Sequence, residues 1–138
     1  METTSIAIET TIGADIKKVW DSWTKPEHII KWNYADDSWH CPKASNDLRV
    51  GGKYVARMEA KDGSFGFDFE AVYDEIIDQR KIAYTLGDGR KVSTIFESSN
   101  GRTKVSTIFD AEKINPIEMQ KNGWQAILNN FAKYTESK

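Results

Sequence analysis

The C-terminal stretch of the chain, residues 123–134, constrains the fold more than any other part of the sequence. Its apolar residues recur at the spacing i, i+3, i+4 and i+7, on one helical face: Trp124, Ile127, Leu128 and Phe131. Most of the preceding chain shows the two-residue alternation of β-strands. An apolar helix face has to be covered, and a sheet is the large surface that this chain offers. The sequence therefore predicts a long C-terminal helix lying on a sheet.

The remaining elements follow from the same periodicities. Residues 4–12 alternate in polarity, and five further alternating segments lie between residues 53 and 109. Two short helices are predicted at 14–24 and 27–32, where Pro26 suits the first turn of the second. Tight turns make consecutive strands antiparallel. The prediction is one α+β domain over residues 1–138, in the order β-α-α-β-β-β-β-β-α, with a curved antiparallel sheet of about six strands wrapped around the last helix.

Composition narrows the classes of partner and the compartment. A net charge of −2 gives no electrostatic case for nucleic acid or an anionic membrane. No apolar run reaches the length that spans a bilayer. A single cysteine fits a reducing compartment, and the first five residues lack the basic and apolar regions of a signal peptide. We expect a cytoplasmic protein without nucleic-acid or membrane partners.

The residues with the greatest chemical potential do not form a recognisable catalytic or metal site. Trp39, His40 and Cys41 are adjacent, but zinc needs three or four ligands and neighbouring ligands in an extended loop point apart. No glycine-rich turn flanks Cys41 to support a nucleophile. Asp68 and Glu70 share one strand face, which is expected to be solvated. The sequence thus predicts no catalytic residue, no metal ligand and no cofactor.

Several short motifs, in their order along the chain, resemble one known protein family. They are Val19-Trp20, Trp23-Thr24, Pro26-Glu27, Val50-Gly51-Gly52-Lys53-Tyr54, Tyr84-Thr85, Gly87-Asp88-Gly89-Arg90, Asn115-Pro116 and Gly123-Trp124-Gln125. The chain resembles the helix-grip fold of the SRPBCC, or START-like, superfamily. Within that superfamily it resembles the branch named after the C-terminal domain of the heat-shock-protein-ninety ATPase activator. The resemblance covers essentially the whole chain.

This resemblance implies a pocket for an apolar or amphipathic small molecule under the last helix, without indicating which molecule. The predicted fold favours the same arrangement, because three helices have to cover six strands. Access is expected at the end capped by the irregular segment Asn33–Asp47. The residues predicted to line the pocket, with Trp39 at its rim, are Trp39, Met58, Phe67, Phe69, Tyr84, Phe96, Trp124 and Leu128.

Three classes of function remain open at this point. The leading one is a non-enzymatic module that binds a small apolar molecule. A chaperone-associated or other protein-interaction domain is the second, suggested by the name of the family branch. The third is a small-molecule enzyme that uses polar groups at the mouth of the pocket. The sequence does not decide between them.

Two structural expectations complete the sequence analysis. Alternation places one set of strand residues towards the helices, with Arg57, Glu59 and Asp68 on the outer face. In the last helix, Trp124→Ala is expected to destabilise more than any other substitution apart from Leu128→Ala. The inward-facing set is Tyr54, Met58, Phe67, Phe69, Tyr84, Phe96 and Phe109.

Overall fold

The computed structural model describes residues 4–138 and combines one sheet with three helices. The prediction of no signal peptide rests partly on residues 1–3, which lie outside that range. The elements are β1 (Ser5–Ile12), α1 (Ile16–Thr24), α2 (Pro26–Trp32), β2 (Trp39–His40), β3 (Ala44–Asn46), β4 (Lys53–Ala60), β5 (Gly66–Ile77), β6 (Lys81–Leu86), β7 (Lys91–Ser99), β8 (Arg102–Asp110) and α3 (Ile117–Glu136). The predicted helix-grip fold is confirmed.

Two short strands appear where the sequence predicts irregular structure. β2 and β3 have two and three residues and both lie within Asn33–Asp47. Each pairs with β4, with Trp39 opposite Ala60 and Ala44 opposite Ala56. They occupy backbone groups that β4 would otherwise present as an open sheet edge. The described residues therefore form eight strands, of which the sequence predicts the six long ones.

The sheet is antiparallel throughout and curls into a half-barrel. Its strands are ordered β1-β8-β7-β6-β5-β4-β2, with β3 also paired to β4. β5 has twelve residues, and its register against β6 shifts between Tyr73 and Glu75. An extra residue in one strand bends it and increases its twist. This irregularity helps to curve the sheet around the helices.

Local chemistry sets where the first two helices begin. The side chain of Asp15 accepts a hydrogen bond from the backbone N–H of Lys18 at 2.9 Å and so caps α1. α2 starts at Pro26, whose missing N–H costs nothing in a first helical turn. Both helices begin within two residues of the predicted positions.

The C-terminal half of α3 anchors that helix to the rest of the fold. Phe131 is fully buried, and its ring centroid lies 4.9 Å from that of Trp23 and 4.8 Å from that of Trp32. Near the end of the helix, the Glu136 carboxylate accepts a hydrogen bond of 2.7 Å from the backbone N–H of Gly13. The N-terminal half of α3 lies at the other end of the sheet, near the C-terminal end of β8.

The predicted strand register is correct, and one predicted burial is wrong. Arg57 lies on the outer face, where its guanidinium pairs with Glu59 at 2.8 Å and with Asp68 at 3.4 Å. Phe67 is 42 % exposed although it was expected to be buried. It pairs with Met58 on the inner face, but this pair lies beside the β4–β5 turn at the end of the sheet. The inward residues that are buried are Tyr54, Met58, Tyr84, Phe96 and Phe109, and Phe69 is half-buried.

Candidate functional site

A pocket of about 320 Å³ lies between the inner face of the sheet, the first two helices and the N-terminal half of α3. Its wall is mostly apolar and is rich in aromatic rings. Pockets of this volume and character are typical of small-molecule sites. The aromatic residues contributed by the sheet and α3 are Tyr54, Phe67, Phe69, Tyr84 and Trp124, and the short helices add Trp23 and Trp32.

Six of the eight residues predicted from the sequence border this pocket. They come together from three elements of the sheet and from α3, although up to seventy residues of chain separate them. The side chains that the strand period turns inward and those on the apolar face of α3 therefore face the same space. The six residues are Met58, Phe67, Phe69, Tyr84, Trp124 and Leu128.

The other two predicted residues lie elsewhere. Trp39 lies in β2 at the sheet edge, opposite Ala60, and its ring centroid is 6.2 Å from that of Phe67, so it contacts the wall without bordering the pocket. Phe96 is buried under α1, with ring centroids at 5.2 Å from Trp20 and 5.8 Å from Trp23. Phe96 points inward as predicted, but the helix fills the space above it. An inward position on the sheet is therefore not sufficient to border the pocket.

Trp124 joins the helix to the sheet at one side of the pocket. Its ring stacks on that of Phe109, with centroids 3.9 Å apart and planes 9° apart. It also meets the edge of Phe69 at 6.1 Å. Aromatic pairs of this kind add to the stabilisation from burial alone. The N-terminal half of α3 is thus held above the sheet by an aromatic contact rather than by close packing of the whole face.

Buried hydroxyl groups on the pocket wall were not identified as site residues from the sequence. Thr94 and Thr107 face each other across β7 and β8, and their Oγ1 atoms are 2.8 Å apart. Both line the pocket and are almost fully buried. The available signal was the alternation itself, because the pattern that turns Val92 and Phe96 inward turns Thr94 inward as well.

Two tyrosine hydroxyls add to the polar lining. Asn33 donates a hydrogen bond of 3.1 Å from its side-chain amide to the hydroxyl of Tyr54, and both residues border the pocket. Burial raises the pKa of Tyr54 and of Tyr84 well above the usual phenol range, because the ionised form would lose its hydration. The interior therefore offers neutral hydrogen-bonding groups and disfavours negative charge.

Charged and amide side chains border the pocket at the end where the β6–β7 turn meets the start of α3. Arg90 lies in the turn, and its Nε donates to Asp88 at 2.8 Å. Gln120 receives a hydrogen bond from the N–H of Glu112 at 2.9 Å and donates to the carbonyls of Glu112 and Asn115 at 3.0 and 2.8 Å. These bonds hold the segment between β8 and α3 in place. The polar end of the pocket is therefore a fixed structure.

His40 and Cys41 do not lie in a site that could support catalysis. His40 is on the surface, with Nε2 3.6 Å from a Glu59 carboxylate oxygen. Cys41 is buried, and burial raises its pKa to about 11, the opposite of what an activated nucleophile needs. Within residues 4–138, no group of three or more His, Cys, Asp or Glu side chains could hold a metal ion. No helix in that range is long and apolar enough to cross a membrane.

A curled antiparallel sheet that holds a long C-terminal helix, with an apolar pocket between the two, defines a helix-grip domain. The chain belongs to the family of activator of Hsp90 ATPase homolog 1-like proteins, whose sequence model matches residues 13–136. None of the curated proteins matches this sequence.

Solved structures similar to this chain support that assignment. An AHSA1-like protein from Aeromonas hydrophila shares 40 % identity and superposes with a TM-score of 0.91, over 97 % of this chain and 93 % of that protein. A protein from Cytophaga hutchinsonii is 49 % identical with a TM-score of 0.84, over 96 % and 92 % of the two chains. A protein from Chromobacterium violaceum, at 22 % identity, shows the same fold with a TM-score of 0.86 over 96 % and 98 %.

Proposed function

We propose that this protein binds a small apolar or amphipathic molecule in the pocket between the sheet and α3. The observation that carries the proposal is a pocket of about 320 Å³ whose charged lining residues, Arg90 and Glu112, lie at one end. A core that served stability alone would be packed to close density, because unfilled space loses dispersion contacts and costs stability.

We also propose that the protein works in the cytoplasm, where the thiol of Cys41 remains reduced.

The size of the pocket limits the ligand. A volume of about 320 Å³ is roughly ten times the share of one water molecule in the liquid. A compact molecule of about ten to fifteen non-hydrogen atoms fits this space, and a longer amphipathic molecule would extend through the polar end. Because the contacts are mostly apolar, we expect little salt dependence of the affinity and a negative heat-capacity change on binding.

We propose that the ligand enters beside Phe67. This side chain borders the pocket and is also 42 % exposed, so it connects the interior with the solvent. The segment expected to cap the opening contributes Asn33 to the wall, and Trp39 of that segment packs against Phe67 at the edge of the sheet. Trp39 would therefore influence access through Phe67 rather than by touching the ligand.

The proposal is tested by blocking the pocket. Fatty acids, flavonoids and polyketide-like aromatic compounds would be titrated against the wild type and Met58→Trp while amide chemical shifts are recorded. Met58 is buried on the wall, so a tryptophan there occupies ligand space. Met119→Trp is the matched control, because Met119 is 62 % exposed and lies outside the pocket. Mass spectrometry of the natively purified protein would look for a ligand retained from the cell.

We expect at least one compound class to bind the wild type and Met119→Trp with similar affinity and to bind Met58→Trp at least tenfold more weakly. Equal affinity for all three proteins would mean that the ligand binds elsewhere. If no compound shifts any amide resonance at high micromolar concentration and no ligand co-purifies, the binding function is refuted.

A protein-interaction function is the second candidate, favoured by exposed apolar side chains at the same end of the molecule. Phe65, Ile114 and Met119 are 60 %, 89 % and 62 % exposed. Large apolar side chains exposed at one end of a molecule often mark an interaction surface. The family description suggests one partner, so the ATPase rate of purified Hsp90 would be measured with and without this protein. Stimulation that Ile114→Asp abolishes would support this second function, and an unchanged rate would argue against it.

A further inference from the structure

We propose that the ligand is a neutral compound with an oxygen atom at its buried end, such as a ketone, and that the hydroxyl of Tyr84 donates a hydrogen bond to it. This inference rests on the proposed ligand-binding function and specifies the chemistry of the same pocket. The observation that supports it is that several hydroxyl groups on the apolar wall have a proton that no protein group accepts.

Tyr84 provides the main argument. The residue borders the pocket and is 7 % exposed, yet no residue in the described range forms a hydrogen bond with its hydroxyl. The neighbouring hydroxyls of Tyr54 and Tyr73 are both engaged, with Asn33 and Asn46 respectively. Buried polar groups are almost always paired, because an unpaired one loses its hydration without compensation. A hydroxyl that is left open to the pocket is therefore placed to bind something inside it.

That hydroxyl is in contact with open space rather than sealed in the core. Within residues 4–138, Thr135 is the residue whose buried side-chain oxygen lacks both a partner and access to open space. The hydroxyl of Tyr84 also lacks a hydrogen-bond partner, but it does have access to open space. Because Tyr84 is buried from the protein surface and borders the pocket, the pocket is the space that its hydroxyl reaches.

Two further sites on the wall have a proton to offer. The hydroxyl of Tyr54 accepts a hydrogen bond from Asn33 and keeps its own proton available. Thr94 and Thr107 share one hydrogen bond, so one of their two protons is not used between them. All of these residues line the same pocket. The interior therefore has more donors than it satisfies, and the complementary ligand group is an acceptor.

The acceptor has to be uncharged. The guanidinium of Arg90, the positively charged group on the wall, is at the polar end and already pairs with Asp88 at 2.8 Å. Glu112 is at that end as well and would repel an anion. Burial also raises the pKa of Tyr84, which shows that this environment penalises negative charge. A carboxylate at the buried end would meet the same penalty, whereas a carbonyl oxygen would not.

The experiment uses two probes that differ in one oxygen atom, 1-tetralone and tetralin. Each would be titrated against the wild type, Tyr84→Phe and Tyr73→Phe, with amide chemical shifts as the readout. Tyr84→Phe keeps the ring and removes the hydroxyl. Tyr73→Phe is the matched control, because the Tyr73 hydroxyl donates to Asn46 at 2.5 Å and does not border the pocket. Affinities are compared for the same probe between variants, so the different water solubilities of the probes do not matter.

We expect Tyr84→Phe to weaken tetralone binding by about two- to tenfold, the range of one neutral hydrogen bond, and to leave tetralin binding within about twofold. Tyr73→Phe should change neither affinity. No effect on tetralone would overturn the inference and would mean that water satisfies Tyr84 while the ligand is held by shape alone. Equal weakening of both probes would also overturn it, because the substitution would then act on the shape of the pocket rather than on a hydrogen bond to the ligand. If neither probe binds the wild type although a compound of the wider panel does, the inference fails and the proposed function stands. If no panel compound binds and no ligand co-purifies, both fail.

Discussion

Truncation of Phe131 should destabilise this protein more than truncation of Trp124, which reverses the order predicted from the sequence. Phe131 is 0 % exposed, and its ring packs edge-on against Trp23 and Trp32. Its replacement by alanine leaves a cavity beside the large rings of Trp23 in α1 and Trp32 in α2. Truncations of this kind typically cost about 3–5 kcal/mol.

The cost at Trp124 should be smaller because of what surrounds it. Trp124 is only partly buried, and one side of its ring borders the pocket. Its removal enlarges an existing space rather than opening a new cavity in a packed core. What is lost is the stacking on Phe109 and part of the burial, together about 2–3 kcal/mol. The difference between the two variants is therefore about 1–2 kcal/mol.

The two alanine variants would be unfolded by heat and, in a second experiment, by urea. Both would be followed by far-ultraviolet circular dichroism, since the tryptophan change alters fluorescence directly. For a domain of this size, 1 kcal/mol corresponds to a shift of about 3 °C in the melting temperature. We expect Phe131→Ala to melt about 3–6 °C below Trp124→Ala. If Trp124→Ala is equally or more destabilised, with an unchanged denaturant slope, then α3 is not anchored mainly through its C-terminal half.

Two further predictions concern single buried groups. Burial raises the pKa of Cys41 from 9.0 to about 11, so its contribution to stability is complete below pH 9 and is lost as the pH rises towards 11. In urea unfolding, the wild type should therefore lose about 1 kcal/mol more stability than Cys41→Ala between pH 8 and 10, and parallel pH profiles would contradict this. Gln120→Ala should cost about 1–3 kcal/mol and should accelerate amide hydrogen exchange at Glu112, whose N–H loses its acceptor. Gln125→Ala, which removes a more exposed amide from the same helix, should leave exchange at Glu112 unchanged. Equal acceleration in both variants would contradict a specific role of Gln120 in holding the segment between β8 and α3.

The long elements could be predicted from the sequence because their periodicity extends over many residues. In β1, the alternation of Ile6, Ile8 and Ile12 with exposed neighbours leaves one possible orientation, and the structure has it. β2 and β3 could not be predicted in this way, because two or three residues are too few to show a period. They are strands because the edge of β4 offers them backbone partners, which is a property of another part of the chain.

The candidate site could be predicted in part for a related reason. Periodicity states which way a side chain points, and six of the eight residues chosen on that basis border the pocket. It does not state what lies above the side chain. Phe96 and Phe67 are both inward residues, yet α1 covers the first and solvent reaches the second. Helix placement decides between these outcomes, and that placement depends on contacts between residues far apart in the sequence.

The polar residues of the wall are informative because folding alone does not require them. Replacing both members of a buried hydrogen-bonded pair by apolar groups of similar shape is often neutral or stabilising. A sheet with valine at positions 94 and 107 would therefore be at least about as stable as one with Thr94 and Thr107. A phenylalanine would likewise serve the core at Tyr84, whose hydroxyl has no partner in the described chain. Positions where the residue departs from what packing favours tend to be functional ones. Here three such positions, from three neighbouring strands, border the same pocket, and this coincidence favours a ligand that needs hydroxyl groups over an accidental gap in the core.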